Sequence, residues 1–146
     1  MDTYNMIDFN KKKGFICDMD GVIYHGNRVL PGVAEFIQWL HDEEKEYLFL
    51  TNNSGYTPRE LHQKLERMGL DVSEEHFYTS ALATAAFLRD QAPGCSVFAI
   101  GEAGLLNALY DAGITMNDVN PDYVVVGEGR SYSLDTLTKA TNLVWK

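Results

Sequence analysis

The apolar run Phe15-Ile16-Cys17 stops at two aspartates one residue apart, Asp18 and Asp20, with Gly21 directly after them. No other stretch constrains the chain as strongly. A short apolar run closed by polar residues reads as a buried strand, and Gly21 lets the backbone turn without a Cβ penalty. In an open α/β sheet, ligands gather at the carboxyl ends of the strands, where both carboxylates would then stand. Like charges so close need a cation or a shared proton, and a hard divalent ion with oxygen ligands, Mg²⁺ above all, suits them. One carboxylate can attack phosphorus, while the other gives a proton to the leaving group and later takes one from water. Asp-x-Asp-Gly can equally be a plain polar strand end, and the rest of the chain has to decide.

A second polar strand end follows. Tyr47-Leu48-Phe49-Leu50 has the aromatic and apolar content of a buried strand, and it runs into Thr51-Asn52-Asn53-Ser54-Gly55. A hydroxyl and free backbone amides at such an end can hold phosphate oxygens, although Asn, Ser and Gly are also what ordinary turns use. Between the two strands, Pro31 can serve as a first helical residue ahead of Val33, Phe36, Ile37 and Leu40 at helical spacing. His41 to Glu46 reads as a solvated helix end. Thr57-Pro58-Arg59-Glu60 is a capping box with proline at the first helical position, and Gly69 closes that helix.

Phe77-Tyr78-Thr79 reads as a third short strand, followed by a helix over Ala81 to Asp90. Pro93-Gly94 is the strongest boundary signal, which divides the chain into units 1–92 and 93–146. The rhythm then restarts with a strand at Val97–Ile100 and a helix through Leu105, Leu106 and Leu109 to Gly113. A strand at Tyr123–Val126 follows, then a helix capped by Ser133 with Leu134, Leu137, Thr141 and Val144 on one face. Strands alternating with helices imply βαβ units and a parallel sheet. Met1–Lys13, with three consecutive lysines, is expected to have little structure of its own.

Charge narrows the partners. Twelve basic and 21 acidic residues leave a formal net charge of −9, which disfavours nucleic acid and anionic membranes. An anionic substrate must therefore meet a local positive site. Cys17 and Cys95 lack metal-ligand spacing and suit small core residues in a reducing compartment, so a cytoplasmic location is expected.

Taken together, Cys17-Asp18-Met19-Asp20-Gly21-Val22, Pro31-Gly32, Thr51-Asn52-Asn53-Ser54 and Tyr78-Thr79-Ser80-Ala81 resemble the haloacid dehalogenase superfamily. More narrowly, they resemble its NagD-like phosphatases, which carry a cap inserted after the third core strand. Val119 to Glu128 and then Arg130-Ser131-Tyr132 resemble the first half of that cap. The resemblance implies an α/β fold with a Rossmann-like core, Mg²⁺, and hydrolysis of a small phosphorylated metabolite, with nucleoside 5′-monophosphates as the substrate class. It implies that Asp18 is the nucleophile and a metal ligand, and that Asp20 is the general acid/base and a metal ligand through its backbone carbonyl. Thr51 would hold the transferred phosphoryl group, with Asn52 as the neighbouring phosphate contact.

The family's lysine in a Gly-Lys-Pro context and its late Gly-Asp motif have no counterpart here; Lys139 and Lys146 lie in the predicted last helix. Core and cap are therefore expected to be truncated, and residues 1–146 alone to be inactive and poorly stable, because phosphoryl transfer depends on positioning and charge neutralisation. The alternatives are a non-catalytic remnant or binding module, and a phosphoaspartate receiver domain.

Overall fold

The computed structural model describes residues 7–130 and 132–145. Met1 to Met6, Ser131 of the Arg-Ser-Tyr motif and Lys146 lie outside the described residues. A single 3₁₀ turn, Phe9–Lys11, precedes the first strand.

Strand β1 (Gly14–Asp18) leads into a small hairpin, β2 (Tyr24–His25) and β3 (Arg28–Val29), and then helix α1 (Val33–Asp42). Strand β4 (Glu46–Thr51), helix α2 (Pro58–Arg67) and strand β5 (Phe77–Thr79) complete a parallel sheet in the order β1-β4-β5. Because each new strand is laid beside the last in the same direction, right-handed crossovers bring both helices to one face. Phe49 on that face belongs to a core with Ile37 and Leu40 of α1, Leu61 and Leu65 of α2, and Phe77 of β5.

The opposite face is different. Strand side chains alternate, so Ile16 points away from Phe15 and Cys17. Ile16 is 72% exposed, and it joins neither apolar core, as do Leu48 and Leu50 beside it. Phe15-Ile16-Cys17 is thus a strand as expected, but not a buried one: Phe15 and Cys17 are half-buried, and burial pushes the Cys17 thiol pKa up.

Helix α1 begins at Val33 rather than at Pro31. The Val33 N–H donates to the Leu30 carbonyl at 3.3 Å, and Gly32 lies at φ 83° and ψ −8°. Pro31 and Gly32 therefore occupy the central positions of a type II turn, where proline's fixed φ and glycine's left-handed φ both fit. The capping box of α2 forms as expected: Thr57 Oγ1 accepts from the Glu60 N–H at 3.1 Å, and a Glu60 carboxylate oxygen accepts from the Thr57 N–H at 2.8 Å.

Helix α3 (Ser80–Gln91) opens a second unit with β6 (Ser96–Ile100), α4 (Ala103–Asp111), β7 (Thr115–Met116), β8 (Tyr123–Val126) and α5 (Leu134–Trp145). Its parallel sheet has the order β7-β6-β8. Asp122 ties the start of β8 to β6 by accepting from the Ser96 N–H at 2.7 Å and the Ser96 hydroxyl at 2.9 Å, bonds that hold its carboxyl below the usual range. Ala81, Ala85 and Leu88 of α3 share a core with Val97, Leu105 and Leu109. The apolar packing thus changes between Phe77 and Ala81, ahead of Pro93-Gly94.

In α5, Ser133 Oγ accepts from the Thr136 N–H at 3.1 Å, as a cap should. The proposed apolar face is largely in water, with Leu134 and Val144 exposed and Ala140 the buried residue. Among the described residues, no helix is long and apolar enough to cross a membrane.

The two units touch through backbone. The Gly104 N–H donates to the Gly55 carbonyl at 3.0 Å, and a Cβ on Gly104 would fall 2.5 Å from the carbonyl oxygens of Ser54 and Tyr56. Gly104→Ala is therefore expected to cost about 1–3 kcal/mol by overpacking. Urea denaturation of the variant checks this, and an unchanged midpoint would show that the loop yields freely.

Alkaline stability gives a second check. Tyr47 is buried, its hydroxyl lies 3.0 Å from His41 Nε2, and its ring stacks on His76 with centroids 3.8 Å apart. Burial, then the charges of Asp71 and Glu75, raise its pKa from 10.0 to about 12. The folded state thus holds this proton more tightly than the unfolded chain does, so the contribution is complete below pH 10 and is lost as pH rises toward about 12. Tyr47→Phe should flatten the fall in unfolding free energy between those two pH values.

Candidate active site

Parallel register brings the two polar strand ends together. Asp18 is level with Leu50, and Thr51, one residue further on, is level with Thr79. Neighbouring strands lie about 4.8 Å apart, so β1 and β4 bring Asp18 and Thr51 to the same carboxyl edge of the sheet.

The Met19 N–H donates to Asp18 Oδ1 at 2.8 Å, which fixes the carboxylate and leaves Oδ2 directed away from that bond. Asp18 and Asp20 are both exposed, and neither enters a salt bridge among the described residues. The turn carrying Asp20 is built on one carbonyl: Met19 O accepts from the N–H groups of Val22 at 3.2 Å and Ile23 at 2.9 Å. Gly21, at φ +79°, donates its N–H to the Tyr24 carbonyl at 2.7 Å. That φ is open to glycine at no steric cost, so the glycine after the aspartates is a backbone requirement.

Thr51 is 5% exposed, and its Oγ1 accepts from the Asn53 N–H at 3.1 Å, leaving its hydroxyl proton to donate elsewhere. Asn52 is exposed, with its carbonyl held by the Ser80 hydroxyl at 2.8 Å. The Gly55 N–H donates to Asn53 Oδ1 at 2.7 Å. Two amides of this loop, those of Asn53 and Gly55, are therefore already engaged by side chains, a smaller set for an anion than the sequence alone suggests.

Two residues of the site region have contacts that carry no sequence signal. Ser54, 6% exposed, accepts at Oγ from the Glu128 N–H at 2.7 Å, joining loops 74 positions apart. Tyr24 is buried against the turn, where burial and the Asp20 carboxylate beside its hydroxyl raise its pKa to about 12. Neither partner could be read from spacing, because both contacts are made by the tertiary fold. A cleft of about 440 Å³ opens between the two units, with Asn53, Tyr56, Glu60, Glu102, Glu128 and Arg130 in its wall. It adjoins the Thr51–Gly55 loop, and neither Asp18 nor Asp20 lines it.

Among the described residues, no group of three or more His, Cys, Asp or Glu side chains is placed to hold a metal. Exposed and outside any salt bridge among the described residues, the oxygens of Asp18 and Asp20 nevertheless fit Mg²⁺, which is commonly bound by one or two carboxylates, several waters and substrate phosphate.

Known proteins share this sequence pattern and fold. The family model of the haloacid dehalogenase-like hydrolases matches residues 15–115. Ribonucleotide monophosphatase NagD of Escherichia coli K12 is 46% identical over 132 residues, which are 90% of this chain and 52% of that protein. Dihydroxyacetone phosphatase of Corynebacterium glutamicum is 44% identical over 130 residues, 89% of this chain and 47% of that protein. The solved structure of NagD from E. coli K-12 superimposes with a TM-score of 0.85 at 45% identity, covering 90% of this chain and 52% of that one. The chain thus spans about half the length of these relatives, with the Asp-x-Asp-Gly and Thr-Asn-Asn segments inside the matched region. On motif order, strand register and family match together, it belongs to the haloacid dehalogenase-like hydrolases.

Proposed function

We propose that this chain supplies the nucleophile, the acid/base and the phosphoryl-binding hydroxyl of a phosphomonoester hydrolase. The observation that carries the reading is the register that sets Asp18 beside Thr51 at one sheet edge. In this reading, Asp18 Oδ2 attacks phosphorus as the bond to the leaving oxygen breaks, while the Asp20 carboxyl gives that oxygen its proton. The products of this half are the free alcohol and an aspartyl phosphate on Asp18. Asp20, now a carboxylate, takes a proton from water as the water oxygen attacks phosphorus, which releases phosphate and regenerates Asp18. The Thr51 hydroxyl donates to a phosphoryl oxygen throughout, and Asn52 lies next to it. Mg²⁺, held by the Asp18 carboxylate and the Asp20 carbonyl, would supply charge neutralisation for the phosphoryl oxygens in a chain of net charge −9.

For the substrate, the likeness to a ribonucleotide monophosphatase supports a nucleoside 5′-monophosphate, and the likeness to a dihydroxyacetone phosphatase supports a smaller ester. We take the nucleotide as the reading to test first, in a cytoplasmic setting that keeps Cys17 and Cys95 as the free thiols they are. A panel of phosphate esters compared by kcat/KM decides between the two.

In the full protein, Asp18→Asn is expected to abolish phosphate release, since an amide is a poor nucleophile. Turnover of p-nitrophenyl phosphate at the parent rate would refute the covalent role. Asp20→Asn should lose about 10²–10⁴-fold with an alkyl phosphate and much less with p-nitrophenyl phosphate, whose leaving group needs no proton.

Thr51→Ala should lower kcat more than stability. It removes one acceptor for the Asn53 N–H, worth about 1 kcal/mol in urea denaturation. A stability loss large enough to account for the missing activity would make Thr51 structural.

A further inference from the structure

We propose that Lys64 of α2 is a positioning residue that holds the Asp20 turn in place through the ring of Tyr24. The inference rests on the acid/base reading of Asp20 for its catalytic consequence, but not for its structural part.

Lys64 sits in the last turn of α2, where a solvated lysine that favours the helix dipole is the ordinary expectation. Its position is not ordinary. The ammonium lies 4.0 Å from the Tyr24 ring centroid and 5.6 Å from that of Tyr56, so it stands over two aromatic faces. It makes no salt bridge among the described residues. Burial lowers its pKa while the charge of Asp20 works to raise it, which puts the cation within the field of that carboxylate.

Tyr24 links this cation to the turn. The residue is 2% exposed, its carbonyl accepts from the Gly21 N–H at 2.7 Å, and its backbone bridges Asp20. A ring clamped from above by Lys64 therefore fixes the residue that closes the Asp20 turn. Tyr56 brings the same cation to the loop that follows Thr51, so α2 connects both polar strand ends through one side chain. A cation over a partly desolvated ring is a real hold, and Lys64→Met keeps the apolar stem while removing only the charge.

The test combines two readouts on the full protein. Hydrogen exchange of the Val22, Ile23 and Tyr24 amides should quicken by about tenfold in Lys64→Met, while the Tyr47–Leu50 amides of β4 stay at the parent rate. Lys64→Arg, which keeps a cation over the ring, should restore the turn. In the same variants, kcat/KM for an alkyl phosphate should fall several-fold more than for p-nitrophenyl phosphate, and Lys64→Arg should recover the parent ratio. Unchanged exchange in the turn, or equal quickening in β4, overturns the proposal. So does a loosened turn with an unchanged leaving-group ratio in a protein whose activity Asp18→Asn abolishes. If Asp18→Asn leaves activity intact, the hydrolase reading fails, and the exchange experiment alone still decides whether Lys64 holds the turn.

Discussion

The pairing of β1 with β4, Gly14 opposite Glu46 through Asp18 opposite Leu50, is the constraint on which the rest depends. A slip of one residue would turn Phe15 and Cys17 away from the core, drive Ile16 into it, and take Asp18 out of its register with Leu50. Core packing therefore enforces the alignment of the carboxylates. Phe49 sits at the centre of this lock, fully buried and level with Cys17 on one side and Phe77 on the other. The carboxyl edge of the sheet gains its precision from aromatic packing two residues back along β4.

The second dependency runs through the loop after β4. Ser54 and Gly55 bond to Glu128 and Gly104, and the space for that contact exists because Gly104 and Gly127 have no side chain to intrude. The Thr51–Gly55 loop is thus shared between the two packed units. One end of it belongs to the first sheet, and its middle is clamped by the second. Motion of one unit against the other is felt at this loop, because the Gly104–Gly55 bond joins backbone to backbone and Ser54, whose hydroxyl holds Glu128, is buried.

Much of this was legible in advance. Phe77–Thr79 and Tyr123–Val126 are strands with the bounds expected of them, and the capping box of α2 forms as its spacing requires. These are local signals: β-branched and aromatic content, a hydroxyl three residues before a glutamate, a glycine where φ turns positive. Errors arose where a local pattern has two readings. Pro31 suits a first helical turn and a type II turn alike, and Gly32 next to it settles for the latter. A short apolar run such as Phe15–Cys17 says strand, but periodicity cannot say how many of its faces are covered.

By itself, the sequence determined the longer strands and the five helices in their order, though not the two-residue strands β2, β3 and β7, together with the acidic turn at Asp18 and Asp20, the polar end at Thr51 and Asn52, and the family these motifs mark. Each of those depends on residues within a few positions of one another. Only the tertiary structure decided which strands are neighbours, that the packing changes between Phe77 and Ala81, and that Ser54 reaches Glu128. It also decided that Tyr24 and Lys64 stand beside Asp20. The reason is physical: local patterning sets backbone conformation, whereas a contact across 40 or 74 positions exists only once both cores have closed around their apolar faces.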